Sequence, residues 1–120
     1  MRNSLALAVA AAAILAGLPA AANSQRPRGA RCVVASNGQP TYRGPCIFTA
    51  ERGGTFHVAP PMGREFPGGQ TGISVEIVEP GVAEVYGLTP SGPASRWGTA
   101  VRSRRDRACW NGPDFSVCAY

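Results

Sequence analysis

The chain has 120 residues, 44 % of them apolar, with twelve Lys or Arg against seven Asp or Glu, a formal charge of +5. Every one of those cations is arginine, which fits either bidentate anion contacts or the codon usage of a GC-rich genome. This length holds one small domain and excludes a second, and no apolar run is long enough to remain as a membrane span.

In chain order, Arg2 supplies a positive start and residues 5–18 are almost wholly Leu, Ala, Val and Ile. At 14 residues, about 21 Å as a helix, this run falls short of a hydrocarbon core of roughly 30 Å, and Pro19 breaks it. With Ala20-Ala21-Ala22 behind it, the segment reads as a signal peptide, residues 1–22, cleaved before Asn23. No Cys stands at that site to take a lipid anchor. Cleavage would remove Arg2 and leave eleven arginines against seven acids, about +4. The expected product is soluble and exported, either periplasmic or extracellular.

Residues 23–30 are polar, with Pro27 and Gly29, and are expected to form a flexible arm ahead of a folded domain spanning 31–120. There, residues 32–36 and 46–49 read as strands around Asn37-Gly38-Gln39-Pro40, in which Asn-Gly is a strong hairpin signal. Residues 55–58 return after Gly53-Gly54. The stretch 59–72 holds three Pro and four Gly with no hydrophobic period and must be a loop, long enough to suggest function. Ile73, Val75 and Ile77 alternate with Ser74 and Glu76, and after Glu79-Pro80-Gly81 residues 82–88 come back as their partner strand. A second loop is expected over 89–95, then strands over 96–102, 108–111 and 115–119. The sum is an all-β domain of seven or eight short antiparallel strands, a small sandwich or barrel built from successive hairpins.

Four cysteines in a short exported chain imply two disulfides with three possible connectivities. Cys109 and Cys118 flank Gly112-Pro113-Asp114-Phe115. Counting outward from that turn, Asn111 faces Ser116, Trp110 faces Val117 and Cys109 faces Cys118, directly opposed and close enough to bridge. Cys32 and Cys46 bracket the Asn-Gly turn. The expected pairs are therefore Cys32–Cys46 and Cys109–Cys118, each closing a loop of about 10 to 15 residues and contributing on the order of 2 to 3 kcal/mol. With every thiol spent and no C-x-x-C present, neither a metal site nor a cysteine nucleophile is expected.

The run Trp97-Gly98-Thr99, Arg102, Asp106, Ala108-Cys109-Trp110, Phe115, Val117-Cys118-Ala119-Tyr120 resembles the ending of a group of small exported four-cysteine bacterial proteins of no established activity. Cys32, Tyr42-Arg43-Gly44-Pro45-Cys46-Ile47-Phe48 and Gly54-Thr55-Phe56 resemble that group's opening. The resemblance covers both ends, about half of the mature chain, and implies fold and export rather than a reaction. A weaker resemblance is to the periplasmic inhibitors of c-type lysozyme, small disulfide-bearing β-barrels with a Ser-Gly stretch before a basic-aromatic pair. Here Ser91-Gly92 precedes Arg96-Trp97, while the Lys-Gly motif of that family is absent. Its targets are basic, and a basic inhibitor would be repelled over the Debye range.

Chemistry-bearing residues are few, and no catalytic residue is assigned. His57, the only His, sits between Phe56 and Val58 with no G-x-S-x-G or comparable signature in the chain. Glu76, Glu79 and Glu84 cluster around one hairpin, which leaves open a small periplasmic hydrolase using Glu76 or Glu84, with His57 as a candidate helper. The strongest charge feature is Arg102, Arg104, Arg105 and Arg107, a turn able to hold phosphate, sulfate or uronate. Trp97 could add an aromatic platform for a sugar beside it, whereas Trp110 reads as core packed on its neighbouring disulfide. The leading expectation is a cofactor-free, non-catalytic binding module of the cell envelope. Arg102, Arg104, Arg105, Arg107, Trp97 and the 59–72 loop form its contact surface, and an anionic glycan, a lipid head group or a protein is its ligand. Nucleic acid is excluded as a partner by export; oligomeric state has no signature.

Overall fold

The computed structural model describes residues 26–120, without the side chains of residues 92–94. The signal-peptide assignment and the start of the arm lie outside the described residues. Eight strands follow in order: β1 (Arg28–Ser36), β2 (Gln39–Ala50), β3 (Phe56–Ala59), β4 (Gly72–Glu79), β5 (Val82–Thr89), β6 (Gly92–Arg102), β7 (Cys109–Asn111) and β8 (Phe115–Ala119), with one 3-10 turn at Arg52–Gly54. Each pairs antiparallel with the next and β1 pairs with β8, which closes the sheet into a barrel. Of the two architectures the pattern allowed, the barrel is the one formed.

Local chemistry explains the up-and-down order. Asn37 and Gly38 both take positive φ, 50° and 77°, the backbone a tight hairpin turn needs to match strand twist. Side chains then alternate. Cys32, Val34, Val58, Ile73, Val75, Val85 and Val117 point into the barrel and are buried, and each buried Val or Ile contributes about 1.5–3 kcal/mol. Arg31, Arg43, Glu76, Arg96 and Thr99 are exposed on the outer wall. An apolar inside and a charged outside is the arrangement for a barrel bathed in water and the reverse of a lipid-embedded one. Among the described residues no helix is long and apolar enough to cross a membrane.

Both disulfides form as the sequence indicates. Cys109 lies directly opposite Cys118, with Trp110 opposite Val117 and Asn111 opposite Ser116. Cys32–Cys46 instead bridges diagonally, because the register puts Gly44 opposite Cys32 and Ala30 opposite Cys46.

Three boundaries differ from expectation. Residues 28–30 of the predicted arm are strand, since β2 extends far enough to offer Phe48, Ile47 and Cys46 as partners and Phe48 receives the Arg28 guanidinium on its ring, 4.5 Å from the centroid. β2 begins directly after the Asn-Gly turn and runs through Pro40 and Pro45. That is permitted because β3 pairs only with Ile47–Ala50, so the first half of β2 bonds on one side alone and a missing N–H there costs no ladder bond on the other. The expected 89–95 loop is only the two-residue turn Pro90-Ser91, because two register shifts let the β5–β6 ladder continue to Thr89 opposite Gly92.

The 60–71 loop is real and structural. It covers the side of β2 that β3 leaves open: Phe66 is 2 % exposed and meets Tyr42 edge-on at 4.8 Å. Phe66 and Gln70 exchange backbone hydrogen bonds, and the Thr71 N–H donates to the Leu88 carbonyl, which ties the loop to β5.

Candidate functional site

The barrel has two ends, and the predicted contact residues divide between them. Arg102, Arg104, Arg105 and Arg107 lie at the end where β1 begins. Trp97 and the 60–71 loop lie at the other, where β1 meets β2. The single surface expected from sequence is therefore two.

At the first end the connection from β6 to β7 is organised by Asp106. Its N–H donates to Ser103 Oγ (3.1 Å), its Oδ1 accepts from the Ala108 N–H (3.1 Å), and its carbonyl accepts from the Cys109 N–H (2.9 Å). The Tyr120 hydroxyl donates to the remaining carboxylate oxygen, a bond that, with some burial, raises the phenol above its ordinary pKa of 10.0. Asp106 is thus spent on the turn. The pairing of Asp106 with an arginine, a natural reading of Arg-Arg-Asp-Arg, does not occur among the described residues.

The arginines frame two adjoining clefts of about 300 and 550 Å³. The smaller is lined by Arg28, Arg102 and Arg107 over Phe48, Phe56 and Trp110; the larger adds Arg104 beside Ile77 and Val101. Arg102 is held in place, donating from Nε to the Arg107 carbonyl (2.8 Å) with its guanidinium 5.7 Å from the Trp110 ring. Phe48 stacks on Phe56 at 5.1 Å, so Arg28 tops an aromatic floor. Among the described residues no carboxylate lines either cleft. Convergent guanidinium groups with no acid among them attract anions and hold their oxygens by paired N–H donors. Arg105 is exposed and lines neither cleft; Trp110 is buried, 5 % exposed, as the sequence indicated.

The opposite mouth opens on a cleft of about 520 Å³ lined by Trp97, Phe66 and Phe115 with Asn37, Gln70, Arg96 and Asp114 among its polar groups. Trp97 meets Phe115 edge-on at 5.6 Å.

Glu76 and Glu84 stand directly opposite one another on the outer wall of β4 and β5. Glu84 is engaged by Thr99 Oγ1 at 2.6 Å and by Arg96 at 2.8 Å, and these hydrogen bonds, Thr99's first, hold its carboxyl below the usual range. An acid catalyst requires the opposite shift. Neither Glu lines a cleft at either end, and the same is true of His57, which lies between Thr49 and Ser74. Among the described residues no group of three His, Cys, Asp or Glu side chains is placed to hold a metal.

Sequence reasoning missed Arg28, Phe48 and Phe56 at the basic end and Asp114 at the mouth, and held Gln70 only as an undistinguished member of the 59–72 loop. The alternation Arg28-x-Ala30-x-Cys32 was a usable signal for the first; nothing local marks Gln70. No family model matches the chain, and neither the curated proteins nor the solved structures include a match to it.

Proposed function

We propose that the protein is an exported, non-catalytic binding module whose basic barrel end holds an anionic ligand of the cell envelope, with an acidic glycan as the best fit. The observation that carries this reading is the arrangement of Arg28, Arg102, Arg104 and Arg107 around an aromatic floor, in clefts without a carboxylate, on a turn whose one acid is consumed internally. Two disulfides suit an oxidising compartment, and the likeness of both chain ends to small exported proteins agrees with it.

Exposed guanidinium contacts are individually weak and add up on a polyanion. Changing Arg104 and Arg107 together to Ser should shift elution from a heparin column to clearly lower salt while the unfolding midpoint stays put, since both side chains are exposed. The control removes the same charge elsewhere: Arg43→Ser with Arg64→Ser, on the outer wall and in the 60–71 loop. Equal shifts in the two double variants would mean that retention follows net charge alone, and the reading would fall.

A further inference from the structure

The mouth opposite the arginines carries a different chemistry. We propose that it is a second binding site, for an uncharged sugar residue, seated against Trp97 and hydrogen-bonded by Gln70.

Gln70 is the first observation. Its Oε1 is shielded from solvent and no donor among the described residues reaches it. A buried acceptor without a donor is rare in native proteins and calls for an explanation. The amide is admitted by Gly87, a buried residue on β5: a Cβ there would lie 2.2 Å from Gln70 Oε1 and 2.7 Å from Trp97 Nε1. An acceptor and an indole donor therefore crowd the same small patch of backbone. The indole N–H, like the amide oxygen, has no hydrogen-bond partner among the described residues. Oε1 itself is out of a ligand's reach, so what the amide offers the cleft is its Nε2, which with the indole N–H makes a pair of donors that sugar hydroxyls accept from.

The second observation is charge. Arg96 lines the mouth but is already paired with Glu84, and Asp114 is the one acid in the lining. An anionic ligand would meet a carboxylate and a neutralised guanidinium there, in contrast to the acid-free clefts of the other end. A wholly apolar ligand would leave Gln70, Asn37 and Asp114 unanswered. The third is shape. A partly buried Trp97 and the buried rings of Phe66 and Phe115 give an apolar surface within a cleft of about 520 Å³, in the range of small-ligand sites, roughly 300–1,000 Å³. A pyranose offers an apolar C–H face to an aromatic ring and hydroxyls around its rim, which is the combination these side chains ask for.

The site is independent of the arginine end, and the two tryptophans report on them separately. In a ¹⁵N NMR titration of the disulfide-bonded protein with maltotetraose and with chitotetraose, the Trp97 indole and Gln70 amide signals should shift saturably with at least one sugar. The Trp110 indole should stay still. Gln70→Leu, which removes the unanswered acceptor at similar volume, should weaken that binding about tenfold or more while thermal stability holds or rises. Asp114→Asn, at an exposed position, should weaken it with the fold unaffected. Absence of a saturable Trp97 shift with either sugar would overturn the proposal. So would full affinity in Gln70→Leu, or a fall in its stability, since the amide would then be a structural part of the loop.

Discussion

The two ends of this barrel are built on opposite plans. At the arginine end the backbone is fixed by covalent and main-chain means: Cys109–Cys118 clamps β7 to β8 directly under the turn, and Asp106 ties up the turn's own N–H groups. The arginine heads take almost no part in that scaffold. At the open mouth there is no covalent tie, and the shape comes from rings and an amide lying on glycines: Phe115 on Gly112, Gln70 and Trp97 on Gly87. At the arginine end ligand contact and structural support fall on different elements, whereas at the mouth they share one small patch, with the Phe115 ring and the glycines carrying the shape and the polar groups of Gln70 and Asp114 carrying the contacts. Any substitution of an arginine head should therefore leave stability alone, while at the mouth only the polar groups, and not the rings or glycines, can be changed without cost to the fold.

The strongest test of that contrast removes the clamp. Replacing Cys109 and Cys118 together by Ala should cost about 2–5 kcal/mol in a urea titration, because the arginine end owes its fixed backbone to the bridge. A loss below that of any single mouth substitution would reverse the comparison. Next comes Gly112→Ala. Its Cβ would lie 2.2 to 2.7 Å from three atoms of the Phe115 ring, so that buried ring must shift and give up part of its contact with Trp97. Overpacking of this kind costs about 1–3 kcal/mol, and the same titration should show it. Asp106→Ala should cost about 1 kcal/mol for the lost bond to the Ala108 N–H. In the same variant the Tyr120 phenol, measured by ultraviolet titration, should return towards 10.0 from above. The raised phenol pKa supports the fold below pH 10.0, and that support is lost as the pH climbs through the folded value.

The smallest effect lies on the outer wall, away from both ends. Burial holds His57 below its ordinary pKa of 6.5, against a weaker opposing pull from Glu51. The unfolded chain then takes up a proton before the folded one does. Stability is unaffected above pH 6.5 and declines slightly as the pH falls from there through the folded value, a decline that His57→Gln should flatten. An NMR titration midpoint for His57 at or above 6.5 would contradict this.

What was legible in the sequence was local. The symmetric turn at residues 112–115 set the opposition of Cys109 and Cys118 by counting alone, and Ile73, Val75 and Ile77 declared the buried face of β4. Closure of the sheet was not legible, because pairing of β1 with β8 joins the far ends of the domain and leaves no short-range mark. The division of the contact surface was hidden for a simpler reason. Trp97 and Arg102 are five residues apart and look adjacent on the page, but both lie in β6, where five residues span about 17 Å. Gln70 fell inside the loop picked out as contact surface, but nothing singled it out there, since its meaning depends on Gly87 of another strand lacking a side chain.

The seam between β1 and β8 also governs when the fold can exist. Arg31 and Tyr120 exchange backbone hydrogen bonds of 3.1 and 2.8 Å, so the first strand waits for the last residues of the domain to find its second neighbour. A growing chain lacks those residues until the domain is fully synthesised, and up to that moment it has two raw sheet edges and no closed interior. The closed interior around Val34 and Val117 therefore depends on the strand Phe115–Ala119, a pairing across almost the whole domain that carries the largest loop-closure cost in the fold.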